Sequence, residues 1–273
     1  MMMRRVMAWG GWLVLALSST PATAQQASVT DVLDCMSQAV PEEVVILQEL
    51  RFETFSSESD ADPELLAARL HMRVTRNSPD AERRLQAVMK VQAPDYLAGA
   101  SYLLREADHE DSDGMYVFLP SVGRVRQVSG GFADTALMGT EFSYNDFRRW
   151  QGLFGNVNVE YVERGERQGR PVHRLRLTDP KPRRSAHDRV DVAVDAEHCL
   201  VVQADLYAGD KMRKQLTVDA EHLRQFGSYW YPMQLTMQDL DSGARTDLRV
   251  ERIRARVSAP EGVFDPTRFH RVE

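Results

Sequence analysis

The feature that most limits what this chain can fold into is a period-two alternation of apolar and polar residues that recurs along most of its length. Leu70, Met72 and Val74 alternate with His71, Arg73 and Thr75; Leu85, Ala87, Met89 and Val91 alternate with Gln86, Val88 and Lys90. Successive side chains of a strand point to opposite faces, so each run predicts a strand with one buried face. Between these two runs, Asn77-Ser78-Pro79-Asp80 is a turn signal. Further alternation spans 96–105, 115–119, 124–128, 157–163, 173–177, 190–194, 200–207, 216–220, 233–237 and 248–257. The turn signals Asp113-Gly114, Arg164-Gly165, Ala208-Gly209-Asp210 and Asp241-Ser242-Gly243 punctuate it. Ten or more short strands with hairpin turns predict a mainly β, antiparallel sheet curled on itself or closed as a barrel. No internal repeat or low-complexity linker divides the chain.

Two stretches carry the helical period instead. Ser28 or Thr30 caps a short helix with Val32, Cys35, Met36 and Ala39 on one face, stopped by Pro41. Ser143 followed three residues later by Asp146 is a capping-box-like start, after which Phe147, Trp150 and Phe154 recur at helical spacing until Gly155. That aromatic stripe belongs either to an ordinary helix packed on the sheet or to a lid over a ligand.

The first residues bear on destination. Arg4 and Arg5, an apolar run from Val6 to Leu17, and Ala22-Thr23-Ala24 have the layout of a secretory signal peptide, with cleavage expected after Ala24. The expectation is therefore a signal peptide over 1–24 and a single exported, soluble domain over 25–273. No segment offers about 18 uninterrupted apolar residues for a transmembrane helix, and Cys35, preceded by Asp34, is misplaced for a lipid anchor. Losing Arg4 and Arg5 leaves 32 basic against 40 acidic residues, about −8, which argues against nucleic acid as a partner.

Cys35 and Cys199 are the only cysteines. In an oxidising compartment an even count reads as a disulfide, with two buried thiols as the alternative. Two isolated cysteines lack metal-ligand spacing, and no cofactor motif is present. The seven His form no HExxH pair, no GxSxG elbow occurs, and the acidic run Asp108–Gly114 fails as a calcium loop because His109 and Pro120 fall where acidic ligands are needed. The run Arg170, Arg174, Arg176, Lys181, Arg183, Arg184 and Arg189 reads as a charged edge that discourages aggregation, or as a surface for an acidic partner or lipid headgroups.

Within 114–147, the stretch FLPSVGRVRQVSGG followed by MGTEFSYNDF resembles the outer-membrane lipoprotein-sorting family, the LolA-like periplasmic carriers. The residues that carry the likeness are Leu119-Pro120, Gly123, Arg124, Arg126, Gly139-Thr140, Phe142-Ser143-Tyr144 and Asp146. The resemblance implies an incomplete antiparallel half-barrel of about ten or eleven strands, with a few short helices over its concave face and acyl chains bound inside. It implies a periplasmic carrier without catalytic residues, whose cargo is a lipid or acylated protein and whose partners include a possible inner-membrane transporter. Gly130-Gly131 and Gly139 let the chain turn back over the mouth. Candidate cavity and lid residues are Leu70, Met72, Met115, Val117, Leu119, Phe142, Phe147, Trp150, Phe154, Met233, Leu235 and Met237. The alternative is a non-carrier accessory or scaffold protein docking on an inner-membrane lipid exporter; an enzyme would need convergent polar groups that the sequence does not assemble. Which strand face lines the hollow stays open, since Val88 and Leu104 compete with their neighbours.

Overall fold

In the computed structural model, residues 28–57, 61–76, 83–107, 114–128, 134–150, 154, 157–178, 186–255 and 258–272 are described. Residues 1–24, expected as a signal peptide, the Asn77–Asp80 turn signal, the acidic residues 108–113, Gly130-Gly131, Gly155 and the basic residues Lys181, Arg183 and Arg184 lie outside them.

The alternating runs become strands: β1 (Val44–Phe55), β2 (Glu64–Arg76), β3 (Arg83–Ala93), β4 (Ser101–Ala107), β5 (Met115–Leu119) and β6 (Arg124–Val128) form one meander. A second meander follows, with β7 (Asn158–Arg167), β8 (Arg170–Thr178), β9 (Arg189–Asp195), β10 (Val201–Ala208), β11 (Lys211–Val218), β14 (Gln234–Asp239) and β15 (Arg245–Ala255). β15 pairs with β1, so the two meanders fuse into one 13-stranded sheet in the order β6-β5-β4-β3-β2-β1-β15-β14-β11-β10-β9-β8-β7. A separate hairpin, β12 (Leu223–Phe226) and β13 (Tyr229–Pro232), branches off before β14. The sheet is open, with β6 and β7 as its edges, which is the half-barrel the resemblance implies, carrying more strands than the ten or eleven expected.

Register assigns the faces. On β2 the residues Leu66, Ala68, Leu70, Met72 and Val74 enter the main core, as do Leu85, Met89 and Val91 on β3 and Leu235 and Met237 on β14. This inner face is roofed by α1 (Val29–Ala39), by α2 (Tyr144–Trp150) with the chain leading into it, and by the β12–β13 hairpin. The opposite parity, Val88 and Leu103 among it, points outward and is covered by the C-terminal strap 258–272 through Val263, Phe264 and Phe269. Val88 therefore belongs to the outer face and Leu104 to the inner one.

One predicted strand end moves. Tyr96 lies in a turn and is 80 % exposed, and β4 starts at Ser101.

Candidate functional site

The roof over the inner face is built from short local devices. Ser28 caps α1: its hydroxyl accepts from Asp31 N at 3.1 Å, and Ser28 N donates to the Asp31 carboxylate at 2.9 Å. The helix buries Val32 and Met36, and Cys35 is disulfide-bonded to Cys199 between β9 and β10, with 5.6 Å between the Cα atoms. The turn that presents Cys199 is itself fixed by buried Asp195, which accepts from His198 N at 2.7 Å and from Arg170 Nε at 2.6 Å. Burial works against ionisation of Asp195, but the Arg170 hydrogen bond, the His198 amide and the Arg170 charge outweigh it and hold the carboxyl below its ordinary range.

α2 is fastened differently. Asp146 accepts from Ser143 N at 2.7 Å, and Asp146 N donates to Ser143 Oγ at 3.3 Å, the capping box read from the sequence. Ahead of it, Glu141 N donates to Thr246 Oγ1 at 2.8 Å, and Lys214 Nζ donates to the Glu141 carbonyl at 2.9 Å. Asn145 and the amide of Ala186 both donate to Asp134, each at 2.7 Å. His187, buried and beside Arg149, is pushed below its usual range by burial and then by that guanidinium.

Between these polar fastenings sits an aromatic cluster. Phe142 lies 6.0 Å from Phe52 of β1 and 5.6 Å from Phe147, which is 6.1 Å from Trp150. Tyr144 meets Tyr102 of β4 at 5.3 Å. Burial pushes the Tyr102 hydroxyl up to about 12 and the Tyr144 hydroxyl well above its usual value. Tyr144 Oη and Tyr231 Oη are buried without a hydrogen-bond partner.

The sequence candidates gather on this face. Leu70, Met72, Leu235, Met237, Phe142 and Trp150 are buried in its core, with Leu119, Phe147, Phe154 and Met233 packed against it. Met115 stands opposite Leu104, and Val117 opposite Tyr102, which places both on the same side. Where α1, Trp150 and the hairpin residues Trp230, Tyr231 and Pro232 meet, a seam of about 20 Å³ remains, about one water's worth. Sequence reasoning missed the hairpin as part of the roof; the aromatic run Tyr229-Trp230-Tyr231 was the available signal. Among the described residues no group of His, Cys, Asp and Glu is placed to hold a metal ion, and no helix is long and apolar enough to cross a membrane.

An open antiparallel sheet with an apolar inner face, roofed by helices, is a half-barrel by fold. Three solved structures share the fold. One from Vibrio parahaemolyticus, described as an outer membrane lipoprotein-sorting protein domain, is 16% identical with a TM-score of 0.74, covering 86% of this chain and 95% of that one. A DUF1329 family protein from Desulfovibrio piger is 17% identical with a TM-score of 0.76, covering 86% and 95%. A LolA superfamily protein from Nitrosomonas europaea is 15% identical with a TM-score of 0.65, covering 87% and 97%. By sequence, no curated protein matches. The family model that matches, over residues 84–271, bears the description "-like: Uncharacterized protein", and the chain belongs to that family.

Proposed function

We propose that this protein is a periplasmic carrier, exported by residues 1–24, that holds the acyl chains of a lipid or acylated protein against its inner face and hands them between envelope components. The observation that carries the reading is the construction of the roof. The described part of the link between the two free sheet edges, β6 and β7, lies over the inner face and is held at its rim by a few polar contacts, from Glu141 N to Thr246, from Lys214 to Glu141 and from Ala186 N to Asp134. The fold shared with lipoprotein-sorting proteins supports the same reading.

Physical scale says how such a roof works. Phe142, Phe147 and Trp150 each cover on the order of 200 Å². Lifting all three into water costs roughly 15 kcal/mol at about 25 cal/mol per Å². Opening is therefore an exchange, in which hydrocarbon enters as the aromatics leave, and apolar area is never exposed wholesale. The unpaired hydroxyls of Tyr144 and Tyr231 would gain an acceptor from a carboxylate or ester carbonyl, ending a penalty of about 1–3 kcal/mol each. Release then requires a partner, such as an inner-membrane transporter, that holds the displaced roof better than the sheet does.

Replacing Trp150 and Phe154 with Ser tests this. Uptake of a fluorescent fatty acid should weaken by about tenfold or more while the circular dichroism stays β-rich; unchanged affinity removes these two aromatics from the site. A second reading, a docking protein that carries nothing, is favoured by the narrow seam of about 20 Å³ between α1, Trp150 and the hairpin. Native mass spectrometry of protein taken from its own envelope separates the two: co-purifying lipid supports the carrier, and bare protein the docking role.

A further inference from the structure

The outer face holds a constellation that the roof and its cargo do not use. On adjacent strands Arg69 stands directly opposite Lys90, and His71 opposite Val88. Like charges placed opposite each other weaken a sheet, so a pair of this kind calls for a counter-charge. The strand on the other side offers Glu49 opposite Arg69, but that carboxylate lies 2.9 Å from Arg252. The strap 258–272 crosses beside the pair and encloses a cavity of about 260 Å³, lined by Arg69, His71, Lys90, Val88, Val263 and Phe269.

No Asp or Glu is among the residues lining this cavity. Arg69 Nε is buried without a hydrogen-bond partner, and Lys90 Nζ donates to the Val272 carbonyl at 3.1 Å, leaving two of its protons. The surrounding imidazoles feel the same field. Burial and then Arg69 push His71 down, and burial, Arg271 and Lys90 push His270 down; no carboxylate lifts either one. A chain of net negative charge thus keeps a half-enclosed positive hollow on its outer face.

We propose that this cavity is an anion site for a small amphiphile, whose carboxylate or phosphate is held by Arg69 and Lys90 and whose short apolar tail lies on Val88, Val263 and Phe269. The volume admits roughly eight water-sized groups, the size of a medium-chain acid. The guanidinium supplies a planar fork and the ammonium a mobile point charge, which suits either head group. This site is separate from the inner face and stands whether or not acyl chains bind there.

Calorimetric titration of the full chain with octanoate, octanol and inorganic phosphate tests it. Octanoate should bind, phosphate more weakly, and octanol not measurably. Arg69→Gln, which removes a guanidinium whose Nε has no hydrogen-bond partner and should keep the melting temperature, should weaken octanoate at least about tenfold, and Lys90→Gln similarly. Octanoate affinity unchanged in both variants would assign its binding elsewhere and overturn the proposal, as would the absence of heat from both anions. Equal affinity for phosphate and octanoate would overturn the apolar half of the site.

Discussion

α1 and α2 lie over the same apolar face, yet they are fastened by unlike means. α1 is bonded covalently through Cys35 to Cys199, and the receiving turn is clamped by the buried Asp195 and Arg170 pair. α2 has no covalent tie; it relies on its own capping box, on Asp134, on Thr246 and Lys214, and on burial of Phe142 and its neighbours. A roof with one fixed and one releasable part can open without the molecule coming apart, and the releasable part is the one rich in aromatic rings. α1 is held by a covalent bond, whereas α2 and its approach are held by hydrogen bonds and apolar contact that can be broken and remade.

The largest expected effect comes from making the two alike. Replacing both Cys35 and Cys199 with Ser removes a cross-link between residues 164 apart in sequence. In the chain-entropy model that costs about 5 kcal/mol, with about 2–5 usual for native bridges. For a chain of this size the melting temperature should fall by roughly 10 °C or more. Fatty-acid uptake at 20 °C should change little, because α1 is the part that stays. A melting temperature within a degree or two of the parent would remove the bridge from the account of what fixes α1.

How far the sequence foretold this arrangement depends on how local the governing physics is. Both caps, Ser28 with Asp31 and Ser143 with Asp146, involve atoms three residues apart and were legible. The Cys35 to Cys199 bridge needed a count of two and a compartment. β1 was not read as a strand, since Gln48, buried at 1 % exposure between Ile46 and Leu50, puts a polar residue on the apolar parity. The outer cover was not read either. Tyr116 and Phe118 on one parity and Met115 and Val117 on the other make a two-faced apolar run, which means both faces of a strand are buried, but nothing local says that residues 258–272 are what buries the second. The site candidates lie on one face of the sheet, and the packing against that face arises from contacts remote in sequence.

A milder substitution probes the releasable side. Ser143→Ala removes the cap hydroxyl that bonds Asp146 and takes its amide proton. Loss of an N-cap costs about 1 kcal/mol, so global stability should drop by that amount. Because the loss falls on α2 alone, hydrogen exchange over 137–150 should quicken while exchange over 29–39 stays put, and acyl uptake should become faster. The equivalent change at the other helix, Ser28→Ala, should cost similar stability with no gain in uptake rate; equal kinetics in the two variants would dissolve the distinction between the helices.

The smallest effect is set by pH: acid weakens both sides, but in different pH ranges. His187, among Arg149, Asp146, Asp134 and Lys214, has a folded value below 6.5, so the unfolded chain takes up its proton first as the solution is acidified. Stability on the α2 side is therefore full above about pH 6.5 and declines from there downward. Asp195 is depressed as a carboxylate, so its contribution is full above its ordinary value near 3.8 and is lost only as pH falls through the lower folded one. Between pH 7.5 and 5.5 exchange over 137–150, corrected for its intrinsic pH dependence, should quicken a few-fold, whereas α1 should not respond. His71, His173 and His270 are also pushed down by burial and lower the stability of the whole sheet in the same range, so the quantity to read is the difference between the helices. His187→Gln should erase that difference; if α1 and α2 quicken together in the parent, titration does not act through the α2 fastening.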